Sequence, residues 1–421
     1  MVSCTSKKQG ELDARFLHEW NEAYESGIIN DFFSPPVAGR MYTYPNLAAY
    51  AVLTNGQGSL LKALPSFPQI EKIEKHASLI SLYAFYYVGK KTIYSFHYLD
   101  DYLKVFDQEM KQLGYSATEL SEGKERAAEW AKKINEWSQE DQYKETRSDT
   151  KFVLSNKPGS WKPTAPDYAD GLEPNWHKIR PFFLDSANQF TANYQPYPYN
   201  MTDKKSSFYK ELVEVKEQVD KTNVEELATS KYWDCNPLAP QHVSHATYAE
   251  KKLTPGGHWM SITRNVSKDR RENITEAAKA YTLVSLAVND GFIACWHSKY
   301  YYDYIRPITA IQDHWDSKWN TLILTPNFPE YPSGHSVISG VASTVLAAHY
   351  GNQTSFIDNA EELFGMPPRA FSSFSEACDQ AAMSRFYAGI HFKKAIVDGV
   401  DMGREIGTFI LKKLELDETK K

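Results

Sequence analysis

The chain has 421 residues, 42% hydrophobic, 14% aromatic and 24% charged, with a formal net charge of −6. That length supports a large buried core, and the ordinary apolar and charged fractions exclude a disordered or fibrous protein. Mild negative charge without a basic stripe excludes a general nucleic-acid binder, so any anion site must be assembled locally from a few cations.

At the start, Met1-Val2-Ser3-Cys4-Thr5-Ser6-Lys7-Lys8 reads as the end of a lipoprotein signal without the apolar stretch that precedes such a cysteine; a chance match is the alternative. That reading gives a tether over residues 1–8, a lipid anchor at Cys4, and a place in the periplasm or on the outer membrane of a Gram-negative bacterium. No run of about 18 apolar residues follows, so no spanning helix is expected. Cys235, Cys295 and Cys378 lack metal-ligand spacing and read as small buried hydrophobes, with one disulfide among them as the alternative.

Residues 1–66 mix short helical patterns with breaks at Pro35-Pro36, Pro45, Gly56 and Gly58. A long helical pattern is expected from Ile70 to Lys111 and an amphipathic helix over Thr118–Trp137. Residues 150–202 are crowded with proline and aromatic side chains, among them Trp161, Trp176, Phe182 and Phe183. They read as a long ordered loop of the kind that covers a site. Next come a helix over Ser207–Ser230, a loop over Pro237–Gly257 and a long apolar helix over Glu272–Ile305, stopped at Pro307. Helices over Gly334–Tyr350, Ser372–Tyr387 and Phe392–Lys413 complete the series. The prediction is an all-α helical bundle, with an N-terminal region over 9–270 packed as one unit against a C-terminal bundle over 271–415 that carries the site.

Three segments carry chemistry. Lys299 and Arg306, seven residues apart, are expected about two turns apart on one helix face. Two inward cations on an apolar helix are costly unless an anion meets them; pairing with Asp303 is the competing reading. In Tyr331-Pro332-Ser333-Gly334-His335-Ser336, a tight turn precedes an apolar helical run. The Ser333 hydroxyl and Gly334 amide then stand at a helix N-terminus as an oxyanion cradle, with His335 beside the anion for proton transfer. A capped helix start with an incidental histidine is the plain alternative. In Ser384-Arg385-Phe386-Tyr387-Ala388-Gly389-Ile390-His391, Gly389 permits a break, so Arg385 closes one helix and His391 opens the next.

In this order, Lys-x6-Arg-Pro, Pro-Ser-Gly-His and Ser-Arg-x5-His resemble the signature shared by vanadium haloperoxidases and type-2 phosphatidic-acid phosphatases, over about residues 280–405. Cys295-Trp296-His297-Ser298-Lys299 and Pro255-Gly256-Gly257-His258-Trp259 are similar to the bacterial iodoperoxidases of marine Bacteroidetes. The resemblance implies vanadate, vanadium +5, as cofactor. It implies His391 as the axial vanadium ligand, Lys299, Arg306 and Arg385 neutralising the oxygens, Ser333 and the Gly334 amide hydrogen-bonding to them, and His335 as acid–base. It further implies hydrogen peroxide and halide as substrates, iodide before bromide, with Lys299 polarising the peroxide and the metal acting as a Lewis acid. An acid phosphatase is the alternative, with His391 attacking phosphorus and His335 protonating the leaving alcohol. A non-catalytic oxyanion-binding lipoprotein is the third reading. Monomer and homodimer fit equally.

Trp296 and Phe328 resemble the halide-side wall of vanadium chloroperoxidases and bacterial iodoperoxidases; core packing is the other account of both. Many relatives have Asp four residues after the last histidine, where this chain has Ala395. Asp398 is therefore the candidate to brace His391. His297 stands where relatives carry an acid, either tuning halide access or facing solvent. Asp290 and Asp303 are candidates to brace the arginines, and His258 to approach the pocket. His242 and His245 read as incidental.

Overall fold

The computed structural model describes residues 11–69, 71–237, 240–243, 246–249 and 251–414. Cys4, the 1–8 tether and His245 lie outside them. The chain is mostly helical, 61% helix against 3% strand, as the all-α prediction requires. In order the helices are α1 (Arg15–Asp31), α2 (Pro35–Leu53), α3 (Ser59–Lys62), α4 (Ala77–Gly89), α5 (His97–Gln112), α6 (Ala117–Ser138), α7 (Tyr143–Arg147), α8 (Ser207–Asp220), α9 (Val224–Tyr232), α10 (Pro255–Arg270), α11 (Ile274–Tyr302), α12 (Pro307–His314), α13 (Gly334–Tyr350), α14 (Phe374–Tyr387) and α15 (Lys393–Lys413). Among the described residues two antiparallel strand pairs accompany them, β1 (Pro240–Val243) with β2 (Ala246–Ala249), and β3 (Phe356–Asp358) with β4 (Arg369–Phe371). Among the described residues no helix is long and apolar enough to cross a membrane.

Several predicted boundaries shift. The pattern from Ile70 to Lys111 is two helices, because the chain turns between Gly89 and His97 with Thr92 bonded back to the Gly89 carbonyl. The helix expected over Ser207–Ser230 breaks at Asn223. There Asn223 and Glu226 form a reciprocal capping box that starts α9 afresh. Pro255-Gly256-Gly257 does not end a loop; it opens α10, with proline in the first turn where its missing N–H costs nothing.

The chain divides into two compact units, and the division does not fall at residue 270. The first takes residues up to Asp31, Met41–Ser138 and Val266–Thr282; the second takes Phe32–Arg40, Gln139–Asn265 and Leu283 onward. Helices distant in sequence share a core in each unit. The first unit is built around α4, whose Leu79, Leu82, Tyr83 and Phe85 are all buried, as a helix apolar on every face demands. Trp20 of α1 meets Tyr102 of α5 edge to face at 4.6 Å.

The second unit is organised by a close crossing of α13 and α15. Gly399, Gly403 and Gly407 recur every four residues and line one stripe of α15. A Cβ on Gly403 would sit 2.2 Å from the Val337 carbonyl oxygen, and one on Gly340 would sit 2.6 Å from that of Val400. Only glycine lets these backbones approach so nearly. The crossing seats the N-terminus of α13 on the first turn of α15, where the Ser333 amide donates to the Ala395 carbonyl at 3.0 Å. The loop over 150–202 is ordered without an α-helix: Trp161, Trp176, Phe182 and Phe183 are buried, and the Leu172 carbonyl accepts from the Trp296 indole.

Candidate active site

All the site residues lie in the second unit. α11 ends at Tyr302 and supplies Lys299, wholly buried. Arg306 is not on the same helix face as expected. Asp303 takes a left-handed conformation, φ 46°, the chain leaves the helix, and Arg306 is the extended N-cap residue of α12. Ser333 caps α13 through its hydroxyl, and Gly334 is the first helical residue. Arg385 closes α14, Gly389 turns the chain at φ +77°, and His391 stands two residues before α15. Thus each functional side chain sits at a helix end, where unpaired backbone groups are available.

The three cations are almost completely buried. The Lys299 Nζ donates to the carbonyls of Pro329, Glu330 and Pro332 at 3.0, 3.1 and 2.5 Å. Three acceptors match the three protons of an ammonium. Burial nevertheless pulls its pKa down to about 7, assisted by the Arg306 charge. Arg306 donates to the Phe328 carbonyl, to the Ile390 carbonyl and, from Nη1, to His391 Nε2 at 3.2 Å. Burial lowers its pKa to about 10. Arg385 is held by Ser384 Oγ and by the Ser230 carbonyl, with Asp234 at 4.0 Å. Burial lowers its pKa too.

His391 has its tautomer set by a residue that motif reading missed. Glu330 Oε1 accepts from His391 Nδ1 at 2.7 Å and from the Phe392 amide at 2.9 Å. Arg306 donates to Nε2 and the Phe392 amide already donates to the same Glu330 oxygen, so the proton sits on Nδ1 and Nε2 carries the lone pair. Glu330 is fully buried; burial pushes its pKa up to about 8, opposed by Arg306 and Lys299. His391 is held well below the ordinary histidine range by burial and by the same two cations. The signal for Glu330 was present: it is the one acidic residue between Asp316 and Asp358, between two prolines, three residues before Ser333.

His335 behaves similarly. Its ring bonds to the Trp233 backbone, which leaves Nε2 buried and without a hydrogen-bond partner. Burial, then the Arg385 charge, keep it unprotonated well below the usual range. A pocket lies among His335, His391, Gly334, Arg385, Trp296 and Phe328. The Phe328 ring packs on Trp296 at 5.0 Å and lies 4.9 Å from Lys299 Nζ and 5.2 Å from the Arg306 guanidinium.

These features have counterparts in known proteins. The family model described as the VCPO second helical-bundle domain matches residues 279–416. The crystal structure of the first bacterial vanadium-dependent iodoperoxidase is 37% identical, covers 97% of this chain and 98% of its own, and superposes with a TM-score of 0.89. The chain belongs to the vanadium-dependent haloperoxidase family. A bacterial vanadium-dependent chloroperoxidase in its holo form shares the fold at 16% identity, with a TM-score of 0.71 over 97% of this chain and 99% of that one. The vanadium chloroperoxidase of Curvularia inaequalis is 27% identical over 96 residues, which span 19% of this chain and 16% of that protein.

The other residues singled out in this haloperoxidase lie elsewhere. Asp398 does not brace His391; it accepts from the Tyr331 hydroxyl and pairs with Lys394 at 2.8 Å, because Glu330 already occupies the Nδ1 side. His297 bonds to Thr191 at 2.9 Å and stacks on Tyr301, outside the pocket lining. Asp290 is buried and accepts the amides of Phe182, Phe183 and Leu184, which anchors the proline-rich loop rather than an arginine. Asp303 turns toward Ser155 and Ser160 of the same loop. His258 is buried beside Cys235, which lines the pocket.

Proposed function

We propose that this haloperoxidase binds vanadate, which Lys299, Arg306 and Arg385 would neutralise and His391 Nε2 would ligate, and uses hydrogen peroxide to oxidise iodide, with bromide a poorer substrate. The observation that carries the reading is the His391–Glu330 pair. It leaves His391 Nε2 unprotonated at a pocket that His391 and Arg385 line, with Arg306 Nη1 3.2 Å from that nitrogen and Lys299 Nζ 4.9 Å from the Phe328 ring of the same wall. Such cations are costly without an anion. The fit to a tetrahedral oxyanion is chemical as well: Arg385, His335 and His391 line one pocket, Arg306 donates to His391 Nε2, and His335 Nε2 is buried without a hydrogen-bond partner.

When bound, vanadate supplies a Lewis acid that activates peroxide without changing its own oxidation state. The protein's part is proton management and desolvation. His335 Nε2, unprotonated at neutral pH, takes a proton as hydrogen peroxide arrives and returns one as water leaves. Arg306 and Arg385, fixed by backbone carbonyls, hold negative charge without reorganising. Lys299, whose three protons are held by backbone carbonyls, would meet an anion by giving up one of them. Overall, hydrogen peroxide, halide and one proton become hypohalous acid and water. Trp296 and Phe328 offer the incoming halide an apolar, polarisable wall, which suits the large and weakly hydrated iodide. The iodoperoxidase likeness supports the same choice.

The test is to load the protein with orthovanadate and follow iodide and bromide oxidation with peroxide. The expected result is turnover of iodide at least about tenfold more efficient than of bromide, a difference of about 1.4 kcal/mol in the barrier. Failure to oxidise either halide at saturating vanadate overturns the reading. Hydrolysis of a phosphomonoester by the unloaded protein would instead point to His391 as a nucleophile.

A further inference from the structure

A second constellation lies behind the pocket wall. Cys235 Sγ is 3.5 Å from His258 Nδ1, and Glu361 Oε1 is 3.3 Å from the same nitrogen. The three ligand-type atoms all lie within 4.8 Å of one another, and all three residues are buried. The other ring nitrogen, Nε2, is 2.6 Å from Asp358 Oδ2, also buried. Trp233 stacks on the imidazole at 4.3 Å and fixes its plane.

We propose that Cys235, His258 Nδ1 and Glu361 hold a divalent cation of the zinc class, with Asp358 orienting the histidine. The spacings argue for it. Zinc with sulfur at about 2.3 Å and with nitrogen or oxygen at about 2.0–2.2 Å in a tetrahedron has sulfur–nitrogen edges of about 3.6 Å and nitrogen–oxygen edges of about 3.4 Å. The two edges that meet at His258 Nδ1 have those lengths. Thiolate, imidazole and carboxylate are all zinc ligands, and three of them leave one position open. A metal-bound histidine ordinarily donates its second N–H to a carboxylate, which is the part Asp358 plays. On binding, the protons of the thiol and of Nδ1 leave to solvent.

The position gives the ion a consequence for the pocket. The stretch Ser230–Cys235 touches each side of the chemistry: the Ser230 carbonyl holds Arg385, the Trp233 backbone holds His335, and Cys235 lines the pocket itself. An ion on Cys235 would tie that stretch to the start of α10 and to the segment after β3. The competing account is a protonated His258 donating to both carboxylates and to the sulfur.

Metal content and cobalt spectra separate the two. The full chain, produced with zinc and dialysed, is expected to keep roughly one zinc per chain. Cys235→Ser and Glu361→Gln should weaken retention by about tenfold or more. Cobalt substitution should give a thiolate charge-transfer band that disappears in Cys235→Ser. Trace zinc with no such band in the wild type overturns the site, as does a band that survives in Cys235→Ser. If the substituted chains fail to fold, zinc content and the cobalt band measured in a Cys4→Ser background decide alone, since Cys295 and Cys378 have no such ligand partners in this cluster. None of these readouts uses halide oxidation, so they stand apart from the reading of the oxyanion pocket.

Discussion

Glu330 connects acidity, geometry and ligand binding at a single side chain. Its Oε1 fixes the His391 tautomer, so its loss should act on affinity before rate. Glu330→Gln replaces the oxygen that accepts from both Nδ1 and the Phe392 amide with an amide that can turn an N–H₂ toward Nδ1. Vanadate affinity is expected to fall about 10–100-fold, the usual cost of losing the group behind a ligating histidine. Activity at saturating vanadate should fall less. A titration of activity against vanadate checks it, and an unchanged midpoint would contradict the role. Motif reading found the pocket's cations and histidines because residue types and spacings identify them. It missed Glu330 because no spacing rule ties a carboxylate to a histidine 61 residues away.

Lys299 gives a pH signature at the same scale. Its pKa lies near 7 in the free pocket, lowered first by burial. A bound oxyanion favours the ammonium form and raises that value, so binding takes up a proton once Lys299 has begun to lose its own. The sign follows: the Lys299 contribution to affinity is fully present below about pH 7 and declines as the pH rises through it. Measuring vanadate affinity from pH 5.5 to 8.5 in wild type and Lys299→Gln isolates the effect, because the titration of vanadate itself is common to both. Parallel curves would remove Lys299 from the site.

Among the elements, the glycine stripe of α15 matters most. Gly403→Ala forces a Cβ against a backbone oxygen at 2.2 Å, and neither helix can yield without moving the N-terminus of α13. A loss of about 1–3 kcal/mol is expected, as for other overpacked cores. Because Ser333 and Gly334 ride on that crossing, vanadate binding should weaken as well. Denaturant unfolding and vanadate titration of the same variant test the pair of effects. α13 was fully legible, since Gly334 follows a proline turn and Gly351, at φ +104°, stops the helix. The break between α8 and α9 was not, because apolar periodicity runs through it and only the Asn223–Glu226 capping box interrupts it. The Lys299–Arg306 spacing misled for a related reason. Seven residues mean one face only while the helix lasts, and it ends at Tyr302.

For the whole molecule, the site's confinement to one unit dictates where ligand binding is felt. Lys299, Arg306, Ser333, Gly334, Arg385 and His391 all fall in the second unit, whereas α4 and α6 belong to the first. Vanadate at 100 times its dissociation constant stabilises the states that bind it by about 2.7 kcal/mol. Local openings that disrupt the pocket become rarer by that amount, but openings confined to α4–α6 do not, because they leave the ligand bound. Hydrogen exchange with and without vanadate should therefore slow about 100-fold in the first turns of α13 and α15 and at the end of α11. The amides of α4 and α6 should be unchanged wherever they exchange by local opening. Uniform slowing along the chain would mean that exchange proceeds only through global unfolding of both units together. Slowing confined to α4–α6 would place the oxyanion somewhere other than beside His391.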